Sequence, residues 1–267
     1  MHSGEAQLYM GLFYSGFNLH DQMFSKRNNV SIQGQESDAL SGYFLVGDEM
    51  LTKEQYEALF GGTSNDSEVR RAAISNLASR WPKAASGSPT VHFEILSSIS
   101  STTRVLIHKA IREYRKKTCL SFVYATSGAR IKFTSDCNNG CWSYVGKISD
   151  GGQTLCLGWC SERYGSIVHE IGHALGLWHE HQRPDRDQYI RIPKDRTGTN
   201  YAKKSSQSVN TFGVPYDYLS IMHYPQGVVQ TLDPSYQDKI GQRNELSYLD
   251  VQIINRMYEC TAILTGM

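Results

Sequence analysis

The chain has 267 residues, 40% of them hydrophobic, with 27 lysines and arginines against 26 aspartates and glutamates. That length holds one large or two modest domains, and the near-neutral balance argues against nucleic acid as a partner, since its binding proteins usually carry a strongly basic face. No apolar run reaches the ~18–20 residues of a membrane span, and the softest stretch, Leu8 to Phe17, is broken by glycines and lacks a basic leader.

In chain order, the residues before Arg70 contain no cysteine and no repeat. Asn29-Val30-Ser31 and Asn65-Asp66-Ser67 are glycan-acceptor triplets that suit a secreted chain, although such triplets are common by chance. The polar, glycine-rich run Gly61 to Ser67 reads as a surface loop, so a domain boundary is expected nearby. The basic pair Arg70-Arg71 that follows reads most simply, on its own, as a solvated pair on a helix running from Ser67.

Val91-His92-Phe93-Glu94-Ile95 alternates as a half-buried strand does. Ser101 to Lys117 is predicted helical, with Ile107, Ala110, Ile111 and Tyr114 at helical spacing and Ser101 or Thr103 as the N-cap. Cys119 to Ala125 and Ala129 to Ser135 read as strands, so the sum is a twisted sheet with packed helices, an α+β fold. His92 and His108 are expected as exposed residues of a strand and a helix. All six cysteines, Cys119, Cys137, Cys141, Cys156, Cys160 and Cys260, fall from residue 119 onward. An even count with recurring spacing suits a disulfide framework in an oxidising compartment. The two Cys-x-x-x-Cys pairs leave a four-cysteine structural zinc open as the alternative.

The densest chemistry lies between Ile167 and Asp187. At ~100° and ~1.5 Å per residue, a helix puts His169 and His173 on one face, only ~40° apart, where two imidazoles can hold one metal ion. His179 would lie ~15 Å from His169 on a continuous helix, so the helix must end between them. Gly176 can take the left-handed conformation that ends it and turn the chain back toward the ion. Three nitrogens leave one tetrahedral position for water, the arrangement of a catalytic zinc. Glu170 points ~100° away from its ligand neighbour, beside that water, where a carboxylate serves as general base. From residue 188 the chain reads as irregular until Ser247-Tyr248-Leu249-Asp250. This capping-box-like start opens a helix on which Val251, Ile254 and Tyr258 share a face.

The pattern HExxH alone is common by chance, but HExxHxxGxxH followed by a methionine turn marks the metzincin metallopeptidases. Here it runs His169-Glu170, His173, Gly176, His179. Ser220-Ile221-Met222-His223-Tyr224 resembles the Met-turn of the astacin family, and His179-Glu180-His181-Gln182-Arg183-Pro184-Asp185-Arg186-Asp187 resembles that family's extension HExxRxDRD. Cys141-Trp142-Ser143-Tyr144-Val145-Gly146 is similar to a further astacin motif. The resemblance covers about Ala72 to Cys260.

The resemblance implies a secreted zinc endopeptidase with one Zn2+ per chain, made as a zymogen. Its catalytic domain, residues 72–267, would be metzincin-like, with a twisted mixed sheet and an active-site helix split by a substrate cleft. A pro-segment, residues 1–71, would precede it. Protein or peptide substrates and an activating protease are the implied partners. Cleavage after Arg71 would leave 267 − 71 = 196 residues starting at Ala72. Leu45-Val46-Gly47-Asp48 resembles the FxGD motif of astacin zymogens, with Leu45 or a shifted Phe44 for the phenylalanine. Asp48 would then block the open zinc position; an ordinary turn at Gly47-Asp48 is the alternative. The freed amino group of Ala72 would be buried near Glu180, an anion that such a charge requires, unless Glu180 bonds locally instead.

Also by resemblance, Cys119 pairs with Cys260 and Cys141 with Cys160, leaving Cys137 and Cys156 for a third bridge. Tyr224 would donate its hydroxyl to the oxyanion of the intermediate, while Met222 would pack beneath the metal without ligating it. His223 is expected to face away, and His181 to lie beside the ligands or at the surface. Arg243, in Ile240-Gly241-Gln242-Arg243, either binds a substrate carboxylate bidentately or stays at the surface. An edge strand of the sheet would bind extended substrate by adding a strand, but which strand does so is not readable from the sequence. Two other functions fit the same residues: a binding protein that kept the metal without turnover, and an amidase of small molecules or cell-wall peptides.

Overall fold

The computed structural model describes residues 42–60, 77–85, 87–206 and 209–260. The expected glycan acceptors Asn29 and Asn65 and the expected cleavage site at Arg71-Ala72 lie outside them.

Strands β1 (Tyr43–Val46) and β2 (Glu49–Thr52) form an antiparallel hairpin across the two-residue turn Gly47-Asp48, with Gly47 at φ +70°. Such tight turns favour residues that accept positive φ, glycine first. Helix α1 (Lys53–Phe60) follows at once, its start fixed by the Thr52 hydroxyl, which accepts from the Gln55 amide at 3.2 Å. Phe44 stacks on Tyr56 and Tyr56 leans on Phe60, at 4.2 and 5.2 Å between ring centroids, so hairpin and helix share a small aromatic core. The hairpin is an integral part of the main sheet. β2 runs parallel to β6 (Cys141–Tyr144), with Glu49 opposite Ser143 and Met50 opposite Tyr144.

The rest of that sheet follows the alternation in the sequence. β3 (Thr90–Ile95) turns Val91, Phe93 and Ile95 into the core. Helix α2 (Ser101–Lys117) buries Ile107, Ala110, Ile111 and Tyr114 along one face. Its N-cap is Ser100, not the expected Ser101 or Thr103, because the Ser100 hydroxyl accepts from the Thr103 amide at 3.1 Å. β4 (Ser121–Tyr124) and β5 (Ile131–Thr134) are shorter than expected at both ends. β7 (Gln153–Leu157), which the sequence reading missed, lies antiparallel to β6 and parallel to β5, with Leu155 and Leu157 fully buried. The seven strands run in the order β1-β2-β6-β7-β5-β3-β4.

Helix α3 (Tyr164–Ala174) packs on α2, β6 and β7. The hydroxyl of buried Tyr114 donates to the Val168 carbonyl at 2.8 Å. At the helix end, where carbonyls lose their intrahelical donors, the Trp81 indole donates to Ala174 at 2.8 Å and the Tyr258 hydroxyl to Leu175 at 2.9 Å. The start of α3 lies against the main chain at Arg243, and a Cβ on Gly165 would come within 1.8 Å of the Arg243 carbonyl oxygen. Gly165→Ala must therefore push helix and loop apart. We expect a loss of about 3 kcal/mol in denaturant unfolding, the upper range for overpacking a core, and a loss under about 1 kcal/mol would show that this contact yields.

Beyond α3 the chain is irregular as expected, apart from a two-stranded ribbon of β8 (Ile190–Arg191) and β9 (Gln230–Thr231). Helix α4 (Tyr248–Met257) opens with both halves of the capping box made between Ser247 and Asp250. The three bridges are Cys119–Cys260, Cys137–Cys156 and Cys141–Cys160. They are the pairs the resemblance implies, and they use every cysteine, so the four-cysteine zinc alternative falls. No described helix is long and apolar enough to cross a membrane.

Candidate active site

Helix α3 presents His169 and His173 from its last two turns and then stops. The amide of Gly176 donates to the His173 carbonyl at 2.7 Å and that of Leu177 to Gly172 at 3.0 Å, while Gly176 takes φ +103°. This Schellman-type stop satisfies the orphan carbonyls and reverses the chain, and it returns His179 to the other two rings. The ring centroids of His169, His173 and His179 lie 4.7 to 5.4 Å apart.

Each ring is oriented from behind. Nδ1 of His169 lies 2.8 Å from the Ile221 carbonyl, and Nδ1 of His173 lies 2.8 Å from the Leu177 carbonyl. Nδ1 of His179 lies 3.1 Å from Glu49 Oε1. A carbonyl or carboxylate oxygen can only accept, so each Nδ1 carries the proton and each Nε2 keeps its lone pair for a metal, the usual arrangement behind a ligating histidine. All three Nε2 atoms are buried without a hydrogen-bond partner, as is Asp48 Oδ1, and these ligand atoms lie within 4.8 Å of one another. Four buried polar atoms aimed at one point make a cation site. Three imidazoles and one carboxylate are the donor set of a tetrahedral site and suit Zn2+.

Asp48 caps this cluster. Its Oδ1 lies 2.8 Å from His179 Nε2 and 3.7 Å from His173 Nε2, and its Oδ2 lies 3.2 Å from His169 Nε2. Burial would raise the Asp48 carboxyl, but the imidazoles facing it, His179 first, hold it well below the usual range. The imidazoles diverge. Burial, helped by the Arg243 charge, lowers His169 to about 3. Burial would lower His179 too, but the Asp48 and Glu49 carboxylates outweigh it and push that ring up to about 9. A negative field at the centre of the rings is what a divalent cation would find favourable.

Glu170 is buried beside His169. One carboxylate oxygen touches Cys141 Sγ at 3.2 Å, a packing contact because the bridged sulfur has no proton, and the other has no hydrogen-bond partner. Burial, and then the Asp48 charge, raises its carboxyl well above the ordinary value. Tyr224 is clamped between His181, stacked at 3.9 Å, and His179, edge-on at 4.8 Å. Its hydroxyl lies 2.9 Å from where a Cβ on Gly47 would sit, so position 47 needs glycine for space as well as for its positive φ. Met222 is buried, with its sulfur 2.7 Å from the Cβ position of Gly172, and its carbonyl accepts from the Glu180 amide at 3.1 Å.

Glu180 Oε1 accepts from the Asp217 amide at 2.8 Å and from Arg183 at 3.2 Å, and burial pushes its carboxyl up to about 8 against the Arg183 charge. It borders a cavity of about 30 Å³, shared with Trp178, Lys204 and Asp250 among others. Ala72, the expected partner of Glu180, lies outside the described residues. His181 and His223 are both fully buried and neither joins the cluster: His181 Nε2 lies 2.8 Å from the Asn200 carbonyl and His223 Nε2 lies 2.7 Å from the Tyr216 hydroxyl. Arg243 Nη1 donates to the His223 carbonyl at 3.1 Å and the Gln242 carbonyl at 3.0 Å, and its charge acts on Asp48 and Glu170.

Three residues that hold the site escaped the sequence reading in this role. Asp250 accepts from the Ser220 hydroxyl at 2.6 Å and the Ile221 amide at 2.8 Å, which anchors the turn whose Ile221 carbonyl orients His169. Its capping-box position was the available signal. Glu49 accepts from the His179 amide at 3.2 Å and from Lys204 Nζ at 2.7 Å, with both side chains fully buried. Burial alone would raise the Glu49 carboxyl, but Lys204 and His179 outweigh it and keep it ionised. Nothing in the sequence links Glu49 to Lys204, 155 residues away.

Residues 73–259, well over half of the chain, match the family model described as Astacin, a peptidase family. The chain is 36% identical over 247 residues to "Zinc metalloproteinase dpy-31" of Caenorhabditis elegans, covering 83% of this chain and 40% of that protein. It is 33% identical over 261 residues to human "Tolloid-like protein 1", covering 91% and 25%. It thus spans less than half the length of these relatives. Among solved structures, high choriolytic enzyme 1, a hatching enzyme zinc-protease from Oryzias latipes, aligns with TM-score 0.62 at 33% identity, covering 68% of this chain and 96% of that one.

Proposed function

This chain belongs to the astacin family of zinc metalloendopeptidases, and on that premise we propose that it is a secreted endopeptidase held latent by its own residues 1–71, with Asp48 on the metal. The observation that carries the reading is the convergence of three unpartnered Nε2 atoms and one Asp48 oxygen on a single buried point.

A zinc ion bound there supplies a Lewis acid for the scissile carbonyl and lowers the pKa of water toward ~7. Glu170 takes a proton from the attacking water and returns it to the leaving amine. The Tyr224 hydroxyl donates to the carbonyl oxygen as negative charge builds on it. Arg243, whose charge acts on Asp48 and Glu170, would meet a substrate carboxylate. The main-chain groups of β6 that now pair with β2 would become available to an extended peptide once the hairpin leaves, which supports β6 as the substrate-binding edge. Secretion is supported by three disulfides, which persist in oxidising compartments. Cleavage after Arg71 by an activating protease would free Ala72, and the cavity bordered by Glu180 offers its amino group a buried carboxylate.

Incubating the chain cleaved after Arg71 with casein tests the activity. Hydrolysis is expected, abolished by a chelator and restored by added Zn2+. Hydrolysis indifferent to the chelator, or none at all, overturns the reading.

A further inference from the structure

Lys204 is a fully buried ammonium whose charge, among the described residues, is met by carboxylates from one segment. Its Nζ donates to Glu49 Oε2 at 2.7 Å, and the anions acting on it are Glu49 and then Asp48, both within residues 42–60. Its other contacts are neutral. It donates to Gln182 Oε1 and lies 4.1 Å from the centre of the Trp178 ring, and its amide donates to the Gln182 carbonyl at 2.8 Å. Those contacts belong to the catalytic part of the chain and hold the ammonium in place whether or not the hairpin is there. Glu180 borders the same cavity, but its Oε1 is committed to Arg183 and the Asp217 amide.

Glu49 also reaches the metal site from behind, its Oε1 3.2 Å from the His179 amide and 3.1 Å from His179 Nδ1. One carboxylate is therefore gripped by a lysine, a main-chain N–H and an imidazole N–H, one residue along from the aspartate that caps the histidines. Removing residues 42–60 takes away the anion and leaves a positioned cation and two donors facing inward. A desolvated charge stripped of its partner is strongly unfavourable, so whatever next lies in the cleft is selected for a replacement carboxylate.

We propose that Lys204, with the amide and Nδ1 of His179, forms a carboxylate-binding pocket beside the metal, filled by Glu49 in the latent chain and by an acidic side chain of the peptide substrate after cleavage. The pocket rests on the latency reading above and is distinct from Arg243, whose guanidinium is held by the His223 and Gln242 carbonyls. It places an aspartate or glutamate preference at a residue adjoining the scissile bond.

The test uses the cleaved, zinc-loaded chain and a fluorescein-labelled peptide of residues 42–60, made with Glu49 and as Glu49→Gln. The Gln peptide should bind at least roughly 30-fold more weakly, the low end of the loss on truncating one partner of a buried ion pair. On Lys204→Met the two peptides should bind alike, and Lys204→Arg should restore the difference in part. Equal binding of the two peptides to the unmodified chain overturns the pocket, and needs no variant to fold. Sites cut in a mixed peptide library should then show acidic residues enriched at one position next to the cleaved bond, and the enrichment should vanish in Lys204→Met. An enrichment that survives that change, or its absence from the unmodified chain, also overturns the proposal. Should the cleaved chain cut nothing, the peptidase reading falls, and the pocket is still judged by the binding of the two peptides.

Discussion

Glu170→Ala in the cleaved chain should lower kcat/KM by about 10⁴, the upper end of what one positioned proton-transfer group contributes. The side chain is buried beside His169 and makes no hydrogen bond with either oxygen, so its removal breaks no network that supports the fold. Zinc content and the unfolding midpoint should therefore stay close to those of the unmodified chain while turnover disappears. Retention of more than a tenth of the activity would assign proton transfer elsewhere and leave Glu170 without a role.

Asp48→Ala should act in the opposite direction and in the uncleaved chain. Charge-assisted contacts of this kind are worth ~1.5–3 kcal/mol, so losing one should raise the fraction of molecules with an open metal by roughly 10–100-fold. Hydrolysis of a quenched fluorescent peptide by intact Asp48→Ala chain should rise by that factor, with gel electrophoresis showing that residues 1–71 are still attached. An unchanged rate would mean that the hairpin, and not the carboxylate on the histidines, closes the cleft. The rise should stay below full activity, because β2 would still occupy the edge of β6 and Glu49 would still be paired with Lys204.

The site was most readable where local geometry decides it. Helical spacing puts His169 and His173 on one face, and only a glycine such as Gly176 ends the helix soon enough for His179 to return. The long helix Ser101–Lys117 was readable for the same reason, since its buried face repeats every three or four residues. Its cap was misread because Ser100, Ser101 and Thr103 all carry a suitable hydroxyl and only the backbone angle at Ser100 separates them. β7 escaped because Gln-Thr-Leu-Cys-Leu is short and carries no strict alternation: polar Gln153 lies on the buried face with Leu155 and Leu157, and Cys156 on the other face is buried and bridged to Cys137. The union of Glu49 with Lys204, and the second task of Asp250 behind His169, are tertiary facts: each joins elements far apart in sequence, and no local pattern announces them.

The Cys119–Cys260 bridge joins residues separated by 141 positions, enclosing most of the catalytic sequence in one covalent ring. A protease attacking a surface loop inside that ring, such as the stretch around Thr211, would open the loop without releasing a piece. Both fragments would migrate together until a reductant was added. The proposed activating cut after Arg71 falls outside the ring, so of all single nicks it belongs to the class that can shed a fragment, and comparing reduced with unreduced gels should tell maturation from damage.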